Sequence, residues 1–147
     1  SHLRQVVIFL WTWVSRVMPE YRLPIRVYIE DTDAGGIVYY VNYLKYFERA
    51  RTELIRSLGV DKTAVMEDGS VFVVTNAAID FHAPARLDDQ LEAVARVVNS
   101  GAAMIEFRQS VVRSGIELAS GQVRVALTDR ESGKPKRMPE GLRELLT

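Results

Sequence analysis

A single stretch of the chain repeats its apolar residues at the spacing of an α-helix, and most of the later segments alternate as β-strands do. Between residues 42 and 59 the apolar positions recur every three or four residues, at Leu44, Phe47, Ala50, Leu54 and Leu58. Asn42 is a suitable N-cap and Gly59 a suitable glycine after the last turn, which predicts one helix of about 16 residues. Because the apolar stripe of a lone helix must be buried against another layer, the remaining segments have to build that layer.

The remaining segments predict an antiparallel sheet of about five strands. From Leu23 onward apolar and polar residues alternate up to residue 30, and Pro24 places this first strand at an edge. Four later segments have the composition or the alternation of strands, at residues 71–82, 90–97, 103–111 and 123–127. Short turn sequences such as Ser114-Gly115 join most of them as hairpins, which favours antiparallel pairing. The sequence therefore predicts an α+β domain of two layers, followed by a short tail.

The composition limits the chemistry that this domain can carry. Its 147 residues predict one domain, and a hydrophobic fraction of 48% excludes a disordered chain. Lys plus Arg and Asp plus Glu both total 19, so the chain lacks the basic excess that is typical of nucleic-acid binding. The absence of cysteine excludes disulfides, thiolate nucleophiles and iron–sulfur clusters, and two histidines disfavour a histidine metal site. We therefore predict no metal and no nucleic-acid partner, and expect a cytoplasmic location.

We interpret residues 1–20 as an apolar N-terminal arm and residues 21–147 as the folded domain. The apolar run at residues 6–14 is shorter than the ~20 residues that a membrane-spanning helix needs. It either packs on the domain or on a neighbouring subunit, which we favour, or it makes a peripheral membrane contact through Trp11 and Trp13. Ser1-His2 resembles the remnant of a purification tag, and residues 3–17 are either native or an upstream extension.

The segment that joins the first strand to the helix gathers the candidate catalytic groups. Residues 30–43 contain two aspartates, paired glycines and three tyrosines, and they end at a helix start, where unpaired N–H groups carry partial positive charge. Such N–H groups can stabilise an oxyanion, while a carboxylate just upstream can attack a carbonyl or activate water. The alternative is structural: Asp31 and Asp33 cap turns, and the glycines supply positive φ. Spacing alone favours the structural interpretation.

Three pieces of this region together resemble the signature of a known family. The pieces are Asp31-Thr32-Asp33-Ala34-Gly35-Gly36-Ile37-Val38-Tyr39, then Asn42-Tyr43-Leu44, then Phe47-Glu48-Arg49-Ala50-Arg51. They resemble the hotdog-fold acyl-CoA thioesterases, and more narrowly the 4-hydroxybenzoyl-CoA thioesterase class with its YbgC-like, Tol–Pal-associated branch. Residues 80–89 and 133–139 also resemble segments of this family, so the likeness covers about residues 22–142. It implies a hotdog fold, in which an antiparallel sheet wraps one long helix.

The resemblance implies roles for individual residues. Asp33 corresponds to the catalytic carboxylate of the class, which acts as a nucleophile or as a general base. Tyr40 falls where a backbone N–H at the helix start polarises the thioester carbonyl. The YbgC-like branch more often has histidine at that position, and the tyrosine resembles the 4-hydroxybenzoyl branch instead. The expected substrate-binding residues are Gly35, Gly36, Tyr39, Asn42 and Tyr43.

The resemblance also implies a reaction and an assembly. The reaction is hydrolysis of an acyl thioester to a free acid and a thiol, and it needs no cofactor, because coenzyme A is part of the substrate. The implied assembly is a homodimer with sheets joined edge to edge and active sites at the subunit boundary, or a homotetramer of two such dimers.

The expected coenzyme A contacts differ from those of the 4-hydroxybenzoyl branch. That branch has a basic run near the third-strand turn, whereas residues 98–102 of this chain carry no positive charge. A carrier-protein thioester, which needs less of a nucleotide site, is therefore a second candidate substrate. Phosphate contacts would have to come from other cations, namely Arg86, Arg113, Lys134, Lys136 and Arg137.

Two other functions are weighed against hydrolysis. A non-catalytic hotdog module would bind acyl-CoA or acyl carrier protein beside envelope or lipid-synthesis machinery; the apolar arm supports it, and Asp33 argues against it. Hotdog dehydratases use a histidine together with a carboxylate on the helix. A dehydratase is therefore disfavoured, because no histidine of this chain lies in the loop or in the helix. We expect His82 to be structural and Glu48 to be a surface residue.

Overall fold

The computed structural model describes residues 18–60 and 68–146 of the chain. Most of the predicted N-terminal arm, residues 1–17, lies outside the described residues. In chain order the elements are β1 (Glu20–Arg26), a 3-10 turn (Ile29–Asp31), α1 (Val41–Ser57), β2 (Ser70–Phe81), β3 (Gln90–Ser100), β4 (Met104–Arg113), β5 (Ile116–Asp129) and α2 (Glu140–Leu146). The predicted strand–helix–four-strand order is thus confirmed, with one more helix at the end.

The five strands form one antiparallel sheet in the order β1-β3-β4-β5-β2. Hairpins join β3 to β4 and β4 to β5, and the second hairpin turns at Ser114 and Gly115, both with positive φ. The connection from β2 to β3 is not a hairpin, because β2 pairs with β5 at the far edge of the sheet. The prediction that β1 is an edge strand is confirmed, and β2 is the other edge.

Helix α1 covers one face of this sheet. Alternate residues of β4 point toward the helix, and Phe47 and Ala50 on the helix are fully buried against them. The helix packs mainly over β1, β3 and β4, so the side of the sheet that β5 and β2 form is less covered. This arrangement confirms the predicted two-layer α+β architecture.

Two details of the helices differ from the prediction. Helix α1 begins at Val41 with Tyr40 as its N-cap residue, so the prediction that Asn42 is the N-cap is wrong. The reason is a tight turn: the Asn42 backbone N–H already donates to the Tyr39 carbonyl at 2.8 Å, and its side chain bonds elsewhere. The predicted tail is in fact helix α2, which buries Leu142 and Leu146 one turn apart. The predicted stop at Gly59 is confirmed by its φ of 96°.

Gly121 on β5 is the residue at which helix, edge strand and sheet come closest. A Cβ built there would lie 2.3 Å from the Ala78 carbonyl oxygen and 3.2 Å from the Phe47 ring. We expect Gly121→Ala to lower the free energy of unfolding by roughly 3 kcal/mol, because backbone atoms of β2 would have to move. Chemical denaturation measures this. The matched control is Gly101→Ala, where no heavy atom lies within 4 Å of the new Cβ, and an equal loss in both variants would contradict the explanation.

Candidate active site

The loop between β1 and α1 folds back on itself and is tied to the segment that follows β2. Thr32 bridges Val38, and Ile37 bridges Arg86, in both cases antiparallel. The Asp33 N–H donates to the Ile37 carbonyl at 2.9 Å, and the Val38 N–H donates to the Ala85 carbonyl at 2.8 Å. These contacts make a small three-stranded ladder of residues 32–33, 37–38 and 85–86, which we call the site ladder.

The pleat of the site ladder decides which side chains face the core. Cross-strand partners lie on the same face, and successive residues lie on opposite faces. Val38 and Ala85 are almost completely buried, at 4% and 0% exposure, so their row faces the core. The neighbouring row is Asp33, Ile37 and Arg86, and it faces outward. The structure thus brings the predicted catalytic carboxylate to the protein surface beside an arginine.

The two aspartates of the loop have different environments. The Asp31 carboxylate accepts the Tyr28 N–H at 2.9 Å and holds the 3-10 turn together. It also lies near the buried Tyr46 hydroxyl, and burial together with this carboxylate raises the pKa of Tyr46 above its ordinary range. Asp33 accepts only the Gly35 N–H, at 2.8 Å through Oδ1, while its Oδ2 has no hydrogen bond to any described residue. Of the two carboxylates, Asp33 is the exposed one, whereas Asp31 is half-buried beside Tyr46.

The paired glycines shape the turn that presents Asp33. The Gly36 N–H donates to the Asp33 carbonyl at 3.0 Å, and Gly36 has a φ of 77°, which favours glycine. At Gly35 a Cβ would lie 3.3 Å from the Asp33 Oδ1 atom, so a side chain there would press on the carboxylate. The predicted substrate-binding glycines thus lie directly next to the predicted catalytic group.

The start of α1 supplies N–H groups without acceptors. The N–H groups of Asn42 and Tyr43 donate to the carbonyls of Tyr39 and Tyr40, at 2.8 and 3.2 Å. Neither the Tyr40 N–H nor the Val41 N–H donates to any other residue that the structure describes. Free N–H groups at the positive end of a helix can stabilise an oxyanion that forms next to them. This is the chemistry expected of the Tyr40 backbone.

The side chains of Asn42 and Tyr43 hold the start of α1 in place. The Asn42 side-chain amide donates to the Asp31 carbonyl at 2.7 Å, and the Tyr43 hydroxyl accepts the Ala85 N–H at 3.1 Å. Both side chains are buried, at 8% and 3% exposure. They join the helix start to Asp31, just before the site ladder, and to Ala85 within it, and their direct contact with substrate stays a prediction.

Three aromatic rings, those of Tyr39, Tyr40 and Phe81, lie beside the helix start, and we call them the aromatic wall. The rings of Tyr39 and Tyr40 have centroids 5.0 Å apart, and Phe81 lies 6.2 Å from Tyr40 and 5.3 Å from Tyr43. Tyr39, Tyr40 and Phe81 are all about half exposed. Phe81 was not among the predicted site residues, although it lies in the second segment that resembles the family; its place as the last residue of β2 brings it here.

A groove of about 720 Å³ runs along α1, over the part of the sheet that the helix covers less. It begins near the helix start at Val41 and Leu44, and strands β2, β4 and β5 form its floor. Its apolar lining includes Phe72, Val74 and Val123. The groove therefore continues from the candidate oxyanion site as a largely apolar channel.

Arg51, which lines this groove, is paired with the buried side chain of Gln109. Arg51 donates to Gln109 Oε1 at 2.9 Å, and Gln109 Nε2 donates to the Phe47 carbonyl at 2.9 Å. Burial lowers the pKa of Arg51, and the carboxylate of Glu48 works in the opposite direction. Glu48 is exposed, as expected of a surface residue, and it also lines this groove. Gln109, 1% exposed, shares the inward face of β4 with Phe107 and Val111, so strand alternation is the signal that could have identified it.

The remaining site predictions concern metals and His82. Within residues 18–60 and 68–146 no cluster of histidine or acidic side chains could hold a metal ion. In the same residues no helix is long and apolar enough to cross a membrane. His82 lies just after β2, and its Nε2 atom is 2.8 Å from the Ser120 hydroxyl, which agrees with a structural role.

Comparison with known proteins identifies the same class of protein. Residues 27–146 match the family model of the thioesterase-like superfamily. The chain is 41% identical to the acyl-CoA thioesterase YbgC of Haemophilus influenzae over 82% of this chain and 89% of that protein. It is 37% identical to the acyl-CoA thioester hydrolase YbgC of Escherichia coli O6:H1, over 83% and 92%. A crystal structure of a probable thioesterase from Bartonella henselae superimposes with a TM-score of 0.73 at 34% identity, covering 82% of this chain and 99% of that one.

The hydroxyl of Tyr43 generates a prediction about stability. In Tyr43→Phe the buried Ala85 N–H would lose its acceptor, which we expect to cost about 2 kcal/mol of unfolding free energy. Thermal or chemical denaturation measures the loss. Tyr39→Phe is the control, because the Tyr39 hydroxyl is exposed and bonds to no described residue. Unchanged stability in Tyr43→Phe would show that this hydrogen bond does not support the site ladder.

Proposed function

The chain belongs to the thioesterase-like superfamily and has its hotdog fold, and from this premise we propose that it hydrolyses acyl thioesters to a free acid and a thiol. One observation carries the proposal. A single loop presents an exposed carboxylate with a free oxygen, Asp33, next to a helix start with two free N–H groups, those of Tyr40 and Val41. These are the two elements that acyl transfer needs: a group that delivers the nucleophile and donors for the oxyanion.

Asp33 acts on the thioester carbonyl in one of two ways. As a nucleophile, its Oδ2 attacks the carbonyl carbon, the C–S bond breaks, and water then hydrolyses the mixed anhydride. As a general base, Asp33 removes a proton from the water that attacks, and that proton passes to the leaving thiolate. In both routes the Gly35 N–H holds Oδ1 and thereby aims Oδ2 outward. In both routes the products are one carboxylic acid and one thiol.

The backbone of the helix start stabilises the tetrahedral intermediate. The N–H groups of Tyr40 and Val41 donate to the oxyanion as the carbonyl oxygen gains charge, and the helix dipole adds to this stabilisation. The contribution of Tyr40 comes from its main chain, so histidine or tyrosine at this position can serve the same step. Buried Asn42 and Tyr43 fix this backbone relative to Asp33.

We assign the acyl group to the aromatic wall and the groove along α1. Tyr39, Tyr40 and Phe81 offer half-exposed rings beside the helix start, and the groove continues from there with apolar side chains. The thiol component is coenzyme A or the phosphopantetheine of a carrier protein. The reaction requires no further cofactor. We place this activity in the cytoplasm, where such thioesters are substrates, and a membrane contact of the N-terminal arm stays a prediction.

We further propose that the protein works as a homodimer joined through β2. This strand is 12 residues long, pairs only with β5 among the described strands, and exposes Val73, Val74 and Phe81 on an open edge. Long apolar edges are normally covered or paired, and a second copy of β2 can pair with this one. Phe81 and the groove lie at the same edge, so the dimer places each site at the subunit boundary. Association of two dimers into a tetramer stays a prediction.

Replacement of the catalytic carboxylate tests the activity. We expect Asp33→Asn to lower the rate of thiol release from acyl-CoA substrates by about a hundredfold to ten-thousandfold, because the amide neither attacks nor accepts a proton well. A thiol-reactive dye measures the release across a panel of acyl groups. Binding of acyl-CoA should persist, since the side chains have the same shape.

The control for this variant is Glu131→Gln, which makes the same chemical change at an exposed residue in the turn after β5. It should retain full activity. If wild-type protein binds acyl-CoA and carrier-protein thioesters but hydrolyses neither, the proposed hydrolase activity is excluded. The alternative function, a non-catalytic binding module, then takes its place. If Asp33→Asn stays active, the carboxylate has been assigned to the wrong residue.

A charge on the edge strand tests the dimer. We expect Val73→Asp to shift the protein from the mass of two chains toward that of one, because two like charges would meet across the paired strands. Sedimentation or light scattering at micromolar concentration measures the mass. Val98→Asp places the same charge on β3, inside the sheet order, and should leave the dimer intact. A dimer that survives Val73→Asp would place the interface elsewhere.

A further inference from the structure

The cations considered for phosphate binding differ in whether the fold already uses them. Arg113 donates to Asp89 Oδ2 at 2.6 Å and to the Pro84 carbonyl at 3.3 Å. Lys136 donates to the Asp68 carbonyl at 2.6 Å and lies 3.7 Å from its carboxylate. Both side chains therefore hold loops together, and a ligand would have to replace these contacts.

Arg86 is placed differently, because it belongs to the outward row of the site ladder. It bridges Ile37, which in turn pairs with Asp33, so these three residues are cross-strand neighbours. Two strand spacings separate Arg86 from Asp33, which is about 9.5 Å between their backbones. Because cross-strand partners share a face, the Arg86 side chain rises on the same side as the Asp33 carboxylate.

The guanidinium of Arg86 is not engaged within the described chain. It forms no ion pair or hydrogen bond with any described residue, and the residue is exposed. Asp89, an acid in the same loop, uses its Oδ2 atom for the Arg86 backbone N–H and for the Arg113 side chain. Partial burial raises the pKa of Asp89, but these hydrogen bonds and the two nearby arginine charges lower it by more, so this anion remains charged and committed to Arg113.

The backbone of Arg86 is nevertheless held in place. Its N–H donates to the Asp89 carboxylate at 2.8 Å, and its carbonyl accepts the Asp89 N–H at 3.1 Å. Val27, just beyond β1, holds this turn at two further points. Its carbonyl accepts the Asp88 N–H, and its N–H donates to the Asp89 carbonyl. A free side chain on a fixed backbone is an arrangement suited to binding a ligand with little ordering cost.

We propose that Arg86 binds the phosphate of the phosphopantetheine arm that coenzyme A and carrier-protein thioesters share. The inference rests on the proposed thioesterase function, because the thioester end of that arm must lie at Asp33. A guanidinium matches a phosphate with two parallel hydrogen bonds, and Arg86 shares the outward face of the site ladder with Asp33. Such a contact serves both substrate sources and needs no basic run for the nucleotide.

A series of truncated substrates with one acyl group tests this contact. The series is acyl-CoA, acyl-phosphopantetheine and acyl-pantetheine, of which only the last lacks the phosphate. We expect Arg86→Ala to raise KM about tenfold for the first two and to leave the third unchanged, since one charge-assisted interaction is lost. Arg86→Lys should recover part of the loss. Acyl carrier protein thioesters should respond as acyl-CoA does.

Arg130→Ala is the matched control. Arg130 is an exposed arginine without an ion pair in the described chain, and it follows Asp129, which pairs with Ser70 at the opposite end of β2 from Phe81. This variant removes the same charge and should change no KM. An equal rise for acyl-pantetheine in Arg86→Ala, a rise confined to acyl-CoA, or no rise at all would each overturn the proposal.

Equilibrium binding separates this inference from the proposed activity. Titration of wild type and Arg86→Ala with the free thiols CoA, phosphopantetheine and pantetheine reports the phosphate contact without turnover. Phosphate-dependent binding that Arg86→Ala abolishes, in a protein that hydrolyses nothing, would overturn the activity and support the contact. Hydrolysis with a phosphate preference that Arg86→Ala leaves intact would overturn the contact and support the activity.

Discussion

The main-chain hydrogen bond from Val38 to Ala85 is the contact on which the arrangement of the site depends. It joins two buried residues, so it fixes the loop before α1 and the loop after β2 to the core at one point. The pleat then decides the rest: the next row, with Asp33 and Arg86, must face outward. A slip of one residue in this register would bury the carboxylate and expose the alanine, and the site would be lost.

Local patterns in the sequence predicted the elements well, because local energetics determine them. The apolar period predicted a helix of about 16 residues where α1 has 17, and the turn at Ser114 and Gly115 predicted the hairpin whose positive φ values the structure has. The start of α1 was predicted less well. Asn42 has the chemistry of an N-cap, but it lies inside the helix, and its side-chain amide donates to the Asp31 carbonyl, a contact eleven residues away that no local rule contains.

Long-range pairing set the features that the sequence did not predict. The edge position of β2 follows from its pairing with β5, which brings Ala78 against Gly121 and takes Phe81 to the helix start. The two aspartates of the loop are a further example. They are the same residue type two positions apart, and no local pattern distinguishes them. The structure separates them: Asp31 is half-buried beside Tyr46, whereas Asp33 is exposed on the outward row of the site ladder.

The relative sizes of helix and sheet explain why the site lies where it does. Five strands at a spacing of about 4.8 Å make a sheet roughly 24 Å wide, whereas one helix with its side chains is about 10 Å across. Helix α1 packs over β1, β3 and β4, so within residues 18–60 and 68–146 it leaves much of the face of β5 and β2 uncovered. The groove, the half-exposed aromatic wall and the open edge of β2 all lie on that side. An acyl chain and a second subunit can together bury this surface, and the free N–H groups of the helix start stand at its entrance. The proposed catalysis and the proposed assembly therefore use the same part of the sheet, which α1 leaves uncovered.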